Sequence, residues 1–236
     1  MEEKQNSLTY QDSNFIYPNK EKDVADLIKK FYKLNIPIEI IGNGSKSAIG
    51  KPLQCSKTLN LSKLDGIVEY LPEELYIKVK AGTKISKIED ELKKNNQELA
   101  FEPIDFGYLF SGISNCGTVG GQVACNISGP RRFKVGSTRD HVLGFRAVNG
   151  RGEIIKSGGT VVKNVTGYDL SKLICNSFGT LAALTEVTFK TLPSPKETKT
   201  LIIHNLDINL ATAYLEKVQS SQNDIDKVLN LEKRHF

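Results

Sequence analysis

Between Gly107 and Gly136 the chain carries a glycine-dense stretch centred on GTVGGQVACNISGP, and no other feature limits its fold as tightly. Gly117, Gly120, Gly121, Ala124 and Gly129 leave much of this segment without side-chain bulk. Backbone of that kind turns easily, accommodates a short helix flanked by turns, and lies flat against a planar or extended ligand. The segment leads into Gly136, Ser137, Thr138, Arg139 and Asp140. Two hydroxyls and a carboxylate just ahead of a strand suit hydrogen bonding to a polyol chain. A loop-rich region accounts for the glycines, but not for this ordered set of polar groups.

The flanking sequence supplies an α+β frame. Val24, Leu27, Ile28, Phe31 and Leu34 recur at helical spacing and predict a helix from Lys22 to Leu34, ended by Asn35 and Pro37. Ile36, Ile38 and Ile40 alternate as a strand that delivers the chain into GNGSKSAIG. Further strands are predicted over 59–64, 68–70 and 75–81, then a helix with Thr83 as its N-cap and Ile85, Ile88 and Leu92 on its buried face. VLGFRAV and EIIKSGG flank the turn Asn149 to Gly152 as a hairpin. A helix over 170–177 and the apolar strand LAALTEVTFKTL follow. Pro193 and Pro195 close this unit, so the reading places one domain over 1–195 and a short strand–helix extension over 196–236, with the strand at 200–206 and the helix at 209–219.

Composition removes other classes. A net charge of +5 without a basic run argues against nucleic-acid binding. Cys55, Cys116, Cys125 and Cys175 lack paired ligand spacing, which points to reduced thiols and no metal. The polar start MEEKQNSLTYQ carries no signal-peptide core, and no apolar run reaches the ~20 residues of a membrane span. The expectation is a cytoplasmic chain.

Two nucleotide motifs fail at the first glycine loop. Gly42, Gly44 and Ser47 lack the third glycine of the dinucleotide fingerprint, and Gly50-Lys51 is followed by Pro52 where a phosphate loop needs Ser or Thr. A strand running into Gly42, Asn43, Gly44 and Ser45 remains, readable as an anion-binding nest or as an ordinary turn.

GNGSK, VKAGTKISKIEDEL, FEP, GTVGGQVACNISGPRR, GSTRDHVLGFRAVNGRGEIIKSGG, VVKNVTGYDLSKL and SFGTLAALTEVTFKTLP follow one another in an order that resembles the para-cresol-methylhydroxylase (PCMH)-type FAD-binding domain of the vanillyl-alcohol oxidase family. The resemblance covers 14–193, and SGPRR with VVKNVTGYDLSKL is similar to the E-type subunits of glycolate oxidases. It implies an α+β fold of two subdomains with FAD between them and a truncated cap. It also implies roles by position. Gly42, Asn43, Gly44 and Ser45 match the diphosphate loop, where the family more often has three glycines and a threonine; Lys46 adds a charge there. Pro103, Thr118, Gly120, Gly121, Asn126 and Gly129 match the stretch lining flavin and diphosphate. Ser137, Thr138 and Asp140 match the ribityl and phosphate loop, and Glu186 and Val187 the strand beside the adenosine. Without a histidine in the first loop, FAD is expected to be held non-covalently.

Other residues carry two readings. Lys163 and Tyr168 either face the isoalloxazine, where a lysine stabilises the anionic reduced flavin, or form a salt bridge and a packing contact. His141 heads a strand and reads as structural rather than catalytic, and His204 and His235 have no evident functional partner. Arg131 and Arg132 suit a carboxylate substrate, a partner subunit or solvent. The resemblance implies an FAD-binding subunit of a glycolate oxidase-like complex that oxidises a 2-hydroxy acid, with a D-type flavoprotein subunit and an iron–sulfur subunit as partners. Such a complex could place the chain peripherally at an inner membrane. Two rivals stand beside this: a scaffold subunit without catalysis, and a stand-alone FAD-linked alcohol or hydroxy-acid oxidoreductase.

Overall fold

The first helix, α1 (Glu21–Lys33), packs through Val24, Ala25, Ile28 and Phe31 in the computed structural model, which describes residues 14–51, 53–159, 168–220 and 225. Asp23 Oδ2 accepts from the Lys20 amide at 3.1 Å, and acidic and basic residues occupy the first and last turns as the helix dipole favours. Leu34, expected inside the helix, is its C-cap and 56% exposed. Strand β1 (Phe15–Ile16) and β2 (Ile38–Ile41) both pair in parallel with β3 (Lys57–Asn60), in the order β1-β3-β2. The strand expected over 59–64 stops at Asn60, because the Asn60 side chain accepts from the Ser62 amide at 3.0 Å and starts a 3-10 turn.

A second unit is built on a five-stranded antiparallel sheet. Strands β4 (Ile67–Leu71) and β5 (Tyr76–Lys80) form one hairpin, and Leu75, expected within the strand, has φ 54° in the turn before it. Helix α2 (Ile85–Lys93) buries Ile85, Ile88 and Leu92. Thr83 is not its cap: fully buried, its hydroxyl accepts from the Gly66 amide at 2.9 Å and pins that loop. The short strand β6 (Gln97–Glu98) precedes four short helices: α3 (Gly107–Ser111), α4 (Val119–Cys125), α5 (Arg132–Val135) and α6 (Thr138–His141). The predicted hairpin forms as β7 (Val142–Asn149) and β8 (Ile154–Gly158). Helix α7 (Leu170–Ile174) is shorter than expected, since Cys175 is extended and Asn176 has φ 64°.

Strand β9 (Ala182–Lys190) inserts between the hairpins to give the order β4-β5-β9-β7-β8, and β10 (Leu192–Pro193) pairs with β6. Ile77, Val79, Val187, Phe189 and Phe145 pack with Ile88, Leu92, Val119 and Val123 of α2 and α4. Each such burial contributes roughly 1.5–3 kcal/mol. Residues 200–206 form no strand and pair with none among the described residues; Leu201 and Ile202 are 80% and 68% exposed. Helix α8 (Ile208–Gln219) does form, with Asp207 accepting from the Asn209 and Leu210 amides.

The units are continuous. Val148 and Ala183 of the large sheet join Val24, Ile28, Phe31 and Leu59 in the first unit's core. Arg146 donates from Nε and Nη2 to the two carboxylate oxygens of Glu21 at 3.0 and 2.5 Å, and Thr185 donates to the same carboxylate at 2.7 Å.

Candidate functional site

The C-terminal end of β2 brings both glycine segments together. A Cβ on Gly42 would stand 2.2 Å from Thr118 Oγ1, so this glycine is required by the approach of the first loop to the start of α4. Asn43 Nδ2 donates to the Cys116 carbonyl at 3.1 Å across the same seam. On the other side, a Cβ on Gly179 would touch Ile40 at 3.6 Å. Gly44 has φ +71° with Ser47 Oγ 4.0 Å from where its Cβ would stand, and the Ser47 amide donates to its carbonyl at 3.1 Å, closing a turn.

The amides of Asn43 to Lys46 and those of Val119 to Gly121 have different fates. Among the described residues, those of Asn43, Gly44, Ser45 and Lys46 donate to no acceptor. Those of Val119 and Gly120 donate to the carbonyls of Thr83 and Ala81 at 2.9 and 2.7 Å, and Gly121 donates to Thr118 Oγ1 at 3.4 Å. Lys46 extends from the first loop over the second: a Cβ on Gly117 or Gly121 would lie 3.9 or 3.6 Å from its Nζ. Burial pushes the Lys46 ammonium below the ordinary lysine range, offset only in part by Cys125, Asp105 and Cys116.

The remaining expected residues divide between the seam and its supports. Thr118 caps α4. Asn126 ends α4 at φ 47° and accepts from the Arg139 amide at 2.9 Å. Gly129 donates to the carbonyls of Phe101 and Glu102 at 2.9 Å, just ahead of half-buried Pro103, and a Cβ on it would strike Glu102 at 2.6 Å. Thr138 is fully buried, its hydroxyl donating to the Ile127 carbonyl and its amide to Ser128 Oγ at 2.7 Å. Asp140 accepts from Ser137 N and Oγ at 2.8 and 2.9 Å and faces Lys172 at 3.6 Å. Burial raises its pKa, but these donors and Lys172 hold it net below the ordinary value. Ser137, Thr138 and Asp140 therefore spend their side chains on the protein itself.

Val187 is fully buried in the main core, and Glu186 pairs in register with Lys80 and Arg146. Tyr168 is 92% exposed; Lys163 and His235 lie outside the described residues. Arg131 Nη1 donates to Glu98 at 2.6 Å, and Arg132 lies 5.2 Å from the Phe133 ring centre. His141 is buried against Phe101 with Nε2 2.9 Å from the Val135 carbonyl, and burial holds its pKa down, in keeping with a structural place. Asp105 was not expected: it accepts from the Gly107 and Asn115 amides at 3.0 and 2.5 Å and shapes the turn beside Lys46. No sequence signal marks it, because its partners are backbone amides at the start of α3 and in the loop beyond its end. The four cysteines are free, and burial pushes Cys175 up to about 12.

Unengaged amides, a half-buried ammonium and a glycine floor that a Cβ would fill fit the diphosphate of a dinucleotide. The chain belongs to the FAD binding domain family, whose model matches residues 13–158, and FAD is its cofactor. It is 42% identical over 165 residues to glycolate oxidase subunit GlcE of Escherichia coli (strain K12), which covers 70% of this chain and 45% of that protein. It is 35% identical over 198 residues to D-lactate dehydrogenase of Anaerostipes hadrus, covering 81% of this chain and 39% of the relative. The chain thus spans less than half the length of these relatives. Alkyldihydroxyacetonephosphate synthase shares the fold at a TM-score of 0.63 and 22% identity, over 78% of this chain and 32% of that one. Among the described residues no helix is long and apolar enough to cross a membrane.

Proposed function

We propose that the chain is the FAD-holding part of an oxidoreductase subunit that oxidises a 2-hydroxy acid, of the glycolate oxidase E type. Its partners in this reading are a D-type flavoprotein subunit and an iron–sulfur subunit, with the complex facing the cytoplasm. The observation that carries it is the similarity of 70–81% of the chain to proteins named for glycolate and D-lactate. A further relative, glycolate oxidase subunit GlcD of Bacillus subtilis (strain 168), is 30% identical over 79% of the chain and supports the same substrate class.

Bound FAD supplies an acceptor for the hydride that leaves the substrate α-carbon. The chain's own residues hold it. The amides of Asn43, Gly44 and Ser45 take diphosphate oxygens, while Gly42, Gly117 and Gly121 let the two backbones close on it. Thr118 and Gly120 fix α4, and Asn126 and Gly129 fix the turn that follows it beside Pro103. Ser137, Thr138 and Asp140 stiffen the next loop, and Glu186 and Val187 anchor the strand behind it. Tyr168 faces outward, available to the flavin ring or to a partner. This domain occupies 1–195 and the extension 196–236; neither main core includes a described residue beyond Phe189.

The test is an absorbance spectrum of the purified chain with acid release of flavin, followed by dye-linked oxidation of glycolate and D-lactate, alone and with a D-type subunit. Intact, acid-released FAD and hydroxy-acid oxidation that needs the D-type subunit are expected. A protein that takes up no added FAD overturns the reading; FAD uptake with no hydroxy-acid oxidation in any combination overturns the substrate class.

A further inference from the structure

Lys46 is placed where a lysine is costly. Its Nζ reaches into the notch between the first glycine loop and α4, and its hydrogen bond is to a neutral hydroxyl, Ser45 Oγ at 3.3 Å. Among the described residues no carboxylate forms an ion pair with it. Asp105 faces it across Gly117: Asp105 Oδ1 and Lys46 Nζ each lie 3.9 Å from the point where a Gly117 Cβ would stand. The Asp105 carboxylate, however, is already bonded to the Gly107 and Asn115 amides. The other titratable groups around the notch are the thiols of Cys116 and Cys125, which burial keeps protonated, and Lys84, which adds positive potential beside Cys116. A partly desolvated ammonium whose hydrogen bond is to a hydroxyl gains from an anion that joins it. The unengaged amides of residues 43–46 stand on the same loop.

We propose that Lys46 is the charge-specific anchor of the FAD diphosphate, and that through it the site selects diphosphate-bearing flavins and couples their uptake to a proton. The inference rests on the FAD reading and adds to it which residue sets the selectivity. Burial holds the Lys46 ammonium below the ordinary lysine range, and a diphosphate alongside would raise it. The sign follows: FAD binding takes up a proton at alkaline pH, and affinity falls as pH rises.

Titration calorimetry of the full chain with FAD and with riboflavin tests this, using wild type, Lys46→Met and Lys46→Arg. Measurements at alkaline pH in two buffers of different ionisation enthalpy count the proton. Lys46→Met is expected to weaken FAD by about tenfold to a hundredfold, as loss of a charge-assisted hydrogen bond would, and to leave riboflavin unchanged. Lys46→Arg keeps the cation, binds FAD within a few-fold of wild type and loses the proton uptake, as arginine does not titrate there. The flavin-free Lys46→Met protein is expected to melt no lower than wild type, since a half-buried charge without an ion pair among the described residues has been removed. Equal FAD affinity in wild type and Lys46→Met, a parallel loss of FAD and riboflavin, or proton uptake persisting in Lys46→Met overturns the proposal. A wild type that binds neither flavin overturns the FAD reading itself, which is a separable result.

Discussion

The two glycine segments that meet at the seam use the same residue for opposite purposes. In Gly42 to Ser47 the glycine at 44 supplies a left-handed φ with only Ser47 Oγ near its Cβ position, and among the described residues the amides of residues 43–46 have no protein acceptor. In Gly117 to Gly121 the glycine at 120 lets α4 press against β5, its amide bonded to the Ala81 carbonyl and its missing Cβ 3.1 Å from the Ala81 Cβ. Among the described residues, the amides of Asn43 to Lys46 find no protein acceptor, whereas those of Val119, Gly120 and Gly121 are consumed in fixing a helix. Glycine density alone does not separate a binding loop from a packing seam. The fate of each N–H does.

Substitutions break or sharpen that contrast. The largest effect is expected from Gly42→Val, whose side chain would occupy the space of Thr118 Oγ1 and part the two segments. Overpacking of about 1–3 kcal/mol lowers Tm by roughly 2–12 °C, and flavin loading is lost. Wild-type loading in that variant would show the seam to be dispensable. Next is Gly120→Asn, expected to cost about 1–3 kcal/mol in urea denaturation through its clash with Ala81.

Glu21→Gln loosens the seam from the far side, where Arg146 and Thr185 hold the carboxylate. Burial raises the Glu21 pKa, but their hydrogen bonds and the Arg146 charge outweigh it and leave the value lowered. The pair's contribution is thus fully present above the unfolded carboxylate value of about 4.3 and is lost as pH falls through the folded value. A destabilisation of about 1 kcal/mol at neutral pH, vanishing in acid, is expected for this part-exposed pair. A gap between variant and wild type that persists at low pH would assign the effect to packing instead. The smallest effect is Gly44→Asn, at about 0.5 kcal/mol or less, because asparagine tolerates the left-handed region. Equal costs at positions 44 and 120 would erase the distinction between the loops.

Much of the fold was legible because local signals coincided with tertiary ones. The α1 face at Val24, Ile28 and Phe31, the hairpin turning at Asn149 to Gly152, and the short helix in GTVGGQVACNISGP all form as read. The misses have one cause: a local signal was redirected by a distant partner or lacked one. Thr83 looked like a cap but bonds to Gly66, 17 residues earlier. Thr200 to Leu206 has the composition of a strand and pairs with no strand among the described residues. In the site, both glycine loops were visible, but amide occupancy was not, because it depends on the carbonyls of Ala81 and Thr83 arriving beside α4. The side chains of Thr138 and Asp140 were likewise readable as polar and not as already partnered.

The position of β9 has a consequence for biosynthesis. Two hairpins, β4 with β5 and β7 with β8, each close through local contacts, yet they meet only through a strand that leaves the ribosome after both. Until Lys190 has emerged, β5 and β7 present open edges, and the loops they carry have no fixed separation. Closure of the five-stranded sheet by β9 makes its assembly non-local and slow. A nascent chain stopped before Ala182 would expose two templates for aggregation in place of one cofactor site.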